Sequence, residues 1–311
     1  MKRSSVALAF EKRTLCQLLM PPAPDADPKP GHLYVVGTPL GNLEDMTFRA
    51  VRMLQSVDLI AAEDTRHTGK LLQHFQIATP QISYHEHNRH SRIGEVLHHL
   101  QTRQHAVALV SDAGMPGISD PGYELITACI EAEIPVIPIP GPTAAITALC
   151  VAGLPSDRFV FEGFLPLKGK ERTERLEAIA QEDRTIVLYE APHKLIKTLE
   201  DLVAALGGDR PVTLGRELTK RFEEFWRGSL GLALTHYQRE APKGEFTVVI
   251  QGATREAPML SPEAIRAELE QLLRQGMSRA DASRQLAKAT GQPKKAIYQL
   301  SLSIDSDEFL S

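Results

Sequence analysis

Cysteine is scarce: Cys16, Cys129 and Cys150 are the three in 311 residues. They are too few and too scattered for a disulfide framework or a zinc set, which points to a reducing compartment. Long apolar runs are missing too, since no stretch approaches the ~20 residues that span a bilayer. Net positive charge is absent: 35 Lys and Arg stand against 39 Asp and Glu, giving -4. Any contact with phosphates must therefore come from a local patch. Two nucleotide fingerprints are also lacking. No G-x-G-x-x-G follows the first strand and no G-x-x-x-x-G-K-[ST] occurs, which argues against a dinucleotide oxidoreductase and a P-loop NTPase.

The N-terminus imitates a signal peptide, with Lys2 and Arg3 ahead of the apolar stretch Val6 to Phe10. Glu11, Lys12 and Arg13 break that stretch, and no small-residue cleavage site follows. The chain is therefore expected to be cytoplasmic. Five prolines between Pro21 and Pro30 forbid a regular element there. Residues 1–30 read as a disordered leader, of which residues 1–19, ahead of Met20, are expected to be dispensable.

From residue 31 the pattern becomes strand, Gly-rich turn, helix. Strands are expected at 32–36, 57–62, 106–110 and 135–139, with Thr47 capping a helix to about Ser56 and Pro142 in the first turn of another. Helices alternating with near-continuous apolar strands imply a parallel sheet covered on both faces. A second α/β unit follows, with a mixed sheet from strands at 159–161, 185–189, 212–214 and 246–250. Residues 223–227 alternate as an edge strand does, and helices are expected near 172–182 and 193–206. Ser261-Pro262 then opens a helix to about Arg274, Ser278 begins one that Gly291 stops, and a last helix starts at Lys294. The predicted domains are 31–155, 156–255 and a small helical unit over 256–311, whose final helices resemble a helix-turn-helix.

Ligands bind open parallel sheets beyond the carboxyl ends of the strands. Three Gly/Pro-rich loops follow strands directly here: 37–42, 111–122 and 140–143. One such loop is ordinarily just a tight turn; three on one sheet edge indicate a ligand site. Asp112 stands where a carboxylate could take a ligand hydroxyl or amine. Glu63, Asp64, Arg66 and His67 form a charged strand end, a feature that is more often a solvated salt-bridge cluster than a catalytic one. The second unit offers Glu190, His193, Glu217 and Lys220.

The segments Gly37-Thr38-Pro39-Leu40-Gly41-Asn42, Ala62-Glu63-Asp64-Thr65-Arg66, Ser111 through Gly122 and Ile139 through Thr143 resemble the tetrapyrrole-methylase superfamily. Leu188 through His193 and Arg216 through Lys220 extend the likeness, which covers residues 31–300 and is similar to the superfamily's ribosomal-RNA branch. The resemblance implies an α/β fold of two domains, with S-adenosylmethionine in the cleft between them and a small C-terminal helical unit. It also implies a homodimer, and 2′-O-methylation of a cytidine in the decoding region of 16S ribosomal RNA in the small subunit. The implied cofactor contacts are Gly37, Thr38, Pro39, Asp112, Gly117, Ile118, Ser119, Thr143, Ala144, Tyr189, Leu214 and Thr247. A side chain at Gly117 is expected to intrude on the ligand.

A sulfonium methyl is already activated, so the enzyme's task is alignment plus help for a poorly nucleophilic hydroxyl. Asp64, Arg66, Glu190, Glu217 and Lys220 are the catalytic candidates; which of them faces the hydroxyl is open at this level. No metal is expected, because such a transfer needs none and no Cys joins His85, His87 and His90. Six Lys/Arg stand against one Asp between Arg274 and Tyr298. Arg279, Arg284, Lys288, Lys294 and Lys295 are the RNA-binding candidates, with a solvated helical face as the plainer alternative. Two rivals remain: a tetrapyrrole methyltransferase of this fold and a non-catalytic nucleic-acid-binding protein.

Overall fold

The computed structural model describes residues 27–254 and 261–304, so most of the expected leader lies outside the described residues. The chain divides after Gly252 into two compact units. The larger holds two five-stranded sheets.

The first sheet comprises β1 (Leu33–Val36), β2 (Leu59–Ala62), β3 (Gln81–Ser83), β4 (Val107–Val110) and β5 (Val136–Ile139), in the order β3-β2-β4-β1-β5. Every pairing is parallel. Alternate residues feed two cores. Tyr34, Val36, Ile60 and Ala62 pack against α1 (Phe48–Ser56) and α2 (Thr65–His74). Leu33, Val35, Leu59 and Ala61 pack against α3 (Arg89–Gln101) and α4 (Tyr123–Glu131). Burial on both faces is why β1, β2 and β4 read as unbroken apolar runs. The edge strand β3 was not anticipated, since Gln81-Ile82-Ser83 carries one apolar residue and is half-buried throughout. The Thr47 hydroxyl accepts from the Ala50 N–H at 3.1 Å and caps α1 as expected.

The second sheet holds β6 (Phe159–Phe164), β7 (Thr185–Glu190), β8 (Pro211–Arg216), β9 (Glu224–Ser229) and β10 (Phe246–Ile250), ordered β6-β7-β10-β8-β9. Only β6 and β7 are parallel, and β9 forms an edge, so the sheet is mixed as its sequence implies. Around it lie α5 (Ala144–Val151), α6 (Lys170–Gln181), α7 (Pro192–Leu206) and α8 (Leu230–Arg239). Helix α5 joins the two sheets. It leaves β5 of the first, and its Ala145, Ala148 and Leu149 pack on Val187 and Val249 of the second. The face of α5 that carries Ala145, Ala148 and Leu149 is buried, while Ile146, Cys150 and Val151 on the other side are exposed. Pro142 is not in its first turn: the Thr143 hydroxyl accepts from the Ile146 N–H at 3.3 Å and takes the cap, leaving the proline one position outside.

The smaller unit is α9 (Pro262–Arg274), α10 (Arg279–Thr290) and α11 (Lys294–Leu302). Ile265, Leu269, Leu272, Ala282, Leu286, Ile297 and Ile304 give it a core of its own. The Ser261 and Ser278 hydroxyls accept from the Ala264 and Asp281 N–H groups at 3.2 Å. Gly291, in the left-handed region at φ 68°, ends α10 as a glycine after a helix commonly does. Among the described residues no helix is long and apolar enough to cross a membrane.

Candidate active site

The carboxyl ends of the first sheet's strands and the strand ends on one side of the second enclose a cleft of about 360 Å³. From the first sheet come Leu40, Glu63, the loop from Asp112 to Met115, Ile118 to Asp120, and Thr143-Ala144. Phe164, Tyr189 to Ala191, Leu218, Lys220 and Glu245 to Thr247 come from the second.

Backbone pairing holds the loops in place. Thr38 and Gly114 exchange hydrogen bonds at 2.9 and 3.0 Å, and the Thr38 hydroxyl donates to the Ser111 carbonyl at 3.1 Å. The loop after β1 is thereby sewn to the loop after β4. Across the cleft, the Tyr189 hydroxyl accepts from the Ala145 N–H at 3.1 Å, satisfying a donor in the first turn of α5. Burial pushes the Tyr189 hydroxyl above its ordinary pKa.

Charge in the cleft is one-sided. Five carboxylates line it, those of Glu63, Asp112, Asp120, Glu190 and Glu245, against the single cation of Lys220. Glu63 accepts from the Asp112 N–H at 3.2 Å, while Asp112 accepts from the Asp64 N–H at 3.2 Å, so the ends of β2 and β4 are tied reciprocally. Burial raises the Glu63 carboxyl despite that hydrogen bond. Burial, with Glu63 and Asp112 close by, carries Asp120 up to about 7.

The other carboxylates are occupied. Glu190, only 4% exposed, accepts from the Ala191 N–H at 2.8 Å and from the Thr198 hydroxyl at 2.6 Å. Arg172 donates to Thr198 at 3.1 Å and to Asp201 at 2.8 Å, so an ordered chain of groups backs Glu190. Glu217 accepts from Lys220 Nζ and from the Glu245 N–H, both at 3.0 Å, and Lys220 also reaches Glu245 at 2.7 Å. Burial alone would raise Glu217, but these donors outweigh it and hold the carboxyl low. The same two carboxylates keep the Lys220 pKa high against its own burial.

Of the anticipated cofactor residues, Asp112, Ile118, Ser119, Thr143, Ala144, Tyr189 and Thr247 line the cleft. Gly37, Thr38, Pro39, Gly117 and Leu214 do not form its wall. Leu214, on β8, is fully buried in the core of the second sheet, and Thr38 is 2% exposed. An added Cβ at Gly117 would have Ile126 Cδ1 and the Tyr123 nitrogen nearest, each at an ordinary 3.6 Å. What calls for glycine at 117 is φ +81°, whereas the 2.9 Å approach of a Cβ on Gly122 to the Gly117 nitrogen calls for glycine at 122. Among the catalytic candidates, Glu190 and Lys220 line the cleft, whereas Asp64, Arg66 and Glu217 stand outside its wall. Asp64 caps α2 and grips Arg66 at 2.7 Å, hydrogen bonds that hold its carboxyl well below the usual range.

In the smaller unit Arg284, Lys288, Lys294 and Lys295 are exposed. Arg284 pairs with Asp281 at 3.0 Å. Arg279 is half-buried and donates to the Ile304 carbonyl at 2.8 Å, which ties α10 to the end of α11. Its first task is structural. His85 and His87 lie just beyond β3, so the shared strand face that would pair them does not form.

The model of the tetrapyrrole (corrin/porphyrin) methylases matches residues 32–233. The chain belongs to that family. A Synechocystis protein named ribosomal RNA small subunit methyltransferase I is 60% identical over 278 residues, covering 89% of this chain and 99% of its own. A protein of the same name from Escherichia coli O157:H7 is 48% identical over 279 residues, covering 89% and 96%. Among solved structures, a uroporphyrin-III-C-methyltransferase from Thermus thermophilus aligns with 70% of this chain and 94% of its own, at TM-score 0.51 and 24% identity. A diphthine synthase aligns with 71% and 90%, at TM-score 0.55 and 14% identity. At such identities the structures speak for the fold alone.

The reading from sequence missed Asp120 and Glu245 as lining residues. Asp120 lies inside a recognised motif, but nothing in the string marks it as half-buried beside two other acids. Glu245 sits in a polar turn, and Gly244 before it, at φ +76°, leaves the room that the Glu217 side chain fills.

Proposed function

We propose that this chain transfers a methyl group from S-adenosylmethionine to the ribose 2′-hydroxyl of a cytidine in the decoding region of 16S ribosomal RNA. The observation that carries the cofactor half is the cleft: apolar walls at Leu40, Met115, Ile118, Phe164 and Leu218, with five carboxylates against one lysine. Such a lining favours a ligand with an apolar body and cationic groups, as a sulfonium and an ammonium are. When bound, S-adenosylmethionine supplies a methyl group already activated on sulfur. The RNA half rests on the relatives' shared name and on the exposed cations of the smaller unit.

The residues divide by task. Asp112, Ile118, Ser119, Thr143, Ala144, Tyr189 and Thr247 hold the cofactor, while Gly37, Thr38, Pro39, Gly117 and Leu214 shape the walls behind them. Glu190 and Lys220 face the reacting centre. Glu217 holds the turn that carries Lys220, while Asp64 and Arg66 order the start of α2 beside Asp112. A carboxylate-lined mouth repels phosphates, so the RNA backbone must be gripped by cations elsewhere. Arg284, Lys288, Lys294 and Lys295 suit that task; Arg279 serves the fold of the unit that presents them. The active form is a homodimer working in the cytoplasm. Phe48, Tyr123 and Ile130 are 63–70% exposed on helices of the first sheet, where a second copy could cover them.

The experiment is transfer of labelled methyl to small ribosomal subunits from a strain lacking the modification, with a corrin or sirohydrochlorin offered in parallel. Label in RNA and none in the macrocycle supports the reading. Label in the macrocycle alone moves the chain to the tetrapyrrole branch.

A further inference from the structure

A second groove adjoins the cleft. It is lined by Glu63, His85, Glu86, His87, Ser119, Asp120 and Pro121, and it shares Glu63, Ser119 and Asp120 with the cleft. Those three residues stand at the junction of groove and cleft. Ser119 adopts the left-handed region at φ 63°, uncommon for a residue with a side chain. Its hydroxyl is turned toward β6, 3.1 Å from where a Cβ on Gly163 would lie.

The acids differ in what holds them. One oxygen of Glu63 accepts from the Asp112 N–H and one of Asp112 from the Asp64 N–H, ties between strand ends, whereas Asp120 is held by the Ser111 side chain. Both oxygens of Glu190 are engaged. Glu217 accepts two hydrogen bonds, and Asp64 is pinned by Arg66. On the reading that the substrate is a ribose hydroxyl, we propose that Asp120 is the general base of the reaction, receiving the hydroxyl proton at the junction of groove and cleft. The balance is simple. The ribose oxygen forms a bond to the methyl carbon as the carbon–sulfur bond breaks, and the electron pair of that bond stays on sulfur. The hydroxyl proton passes to the Asp120 carboxylate and leaves through the open groove to solvent.

The surroundings suit a base that works near neutrality. Burial and the charges of Glu63, Asp112 and Glu245 disfavour the Asp120 carboxylate, while the Ser111 hydroxyl favours it. Tyr189 faces it from the second sheet, and its own pKa is raised in part by Asp120. His85 and His87, which bound the groove beside it, are the imidazoles that could add positive charge.

The test compares the parent with Asp120→Asn in single-turnover methylation of small subunits across pH, beside direct measurement of S-adenosylmethionine and subunit binding. Expected is a loss of about 100-fold or more in turnover rate, with both affinities kept within about threefold and a residual rate that no longer follows the parent's titration. Asp120→Glu should recover part of the rate. Carbon-13 titration of aspartate carboxyls in the unliganded parent gives a readout independent of turnover and of the variant's folding. One aspartate should titrate near 7. A variant rate within about threefold of the parent's, a rate loss matched by lost cofactor affinity, or no aspartate titrating above about 6 overturns the assignment. If the parent itself labels no RNA, the proposed substrate is wrong and the base assignment falls with it; the parent arm alone distinguishes that failure.

Discussion

The α-carbons of Gly37 and Gly141 face each other so closely that a Cβ added to either would lie 2.7 Å from the other. The loops after β1 and β5 meet there backbone to backbone, with Met115 Sδ 2.6 Å from the same point on Gly37. No flexible side chain can move aside to relieve such a contact on the Gly141 flank.

Gly37→Ala or Gly141→Ala must therefore spread two strand-end loops. Each should lose about 1–3 kcal/mol of unfolding free energy, the usual cost of forcing extra atoms into a packed site. Affinity for S-adenosylmethionine should fall at the same time. Denaturant melts and calorimetry read both, and a parent-like result in either variant would show that the two loops are not held at this contact.

Asp120 links function to stability. Folded, it keeps its proton up to about 7, whereas its ordinary value is 3.8. Between those values the folded state binds more protons than the unfolded one, so this group's contribution to stability declines as pH rises. Asp120→Asn removes the penalty. It should be more stable than the parent at about pH 8, by on the order of 1 kcal/mol once solvent screening is allowed for, with the gap closing below about pH 4. Equal stabilities across that range would mean the carboxyl is not held up by its surroundings.

Thr198→Val tests the support behind Glu190. The exchange keeps the shape but removes the hydroxyl that donates to a carboxylate only 4% exposed. A buried acceptor left short of a donor costs about 1–3 kcal/mol. Chemical denaturation should show that loss, and methylation should slow if Glu190 turns within the cleft. A neutral variant would make the chain from Arg172 to Glu190 incidental.

The smaller unit makes a separate prediction. Lys294→Glu with Lys295→Glu should leave S-adenosylmethionine affinity unchanged and weaken subunit binding about tenfold at physiological salt. The dependence of log affinity on log salt should flatten by roughly 1.5 units for two lost phosphate contacts. Parent-like binding and salt slope would assign these lysines to a solvated helical face.

Much of this was legible in the string. The apolar runs of β1, β2 and β4 announce strands buried on both faces, and Thr47, Ser261 and Gly291 mark helix ends by capping chemistry that is local. The edge strand β3 was not legible, because one isoleucine between Gln81 and Ser83 leaves no periodic signal. The site divides in the same way. Gly/Pro loops after strands revealed its edge, and the motifs carried the family. Their spacing could not tell a wall residue from one behind it: Thr38 stands in a motif and Leu214 just ahead of one, yet both are buried. Nor could it reveal Asp120, whose character comes first from burial and then from Glu63 and Asp112, each brought to it by a different strand.

The most direct measurement locates the methyl group. Small subunits from a strain lacking the modification are incubated with the protein and labelled S-adenosylmethionine, and the RNA is then hydrolysed with alkali. A ribose methyl removes the hydroxyl that attacks the neighbouring phosphate, so the modified linkage survives. The expected result is one labelled, alkali-resistant dinucleotide with cytidine on its 5′ side, mapping to the decoding region. Label released as an ordinary mononucleotide, which would place the methyl on a base, or no label in RNA at all, would contradict ribose methylation by this cleft.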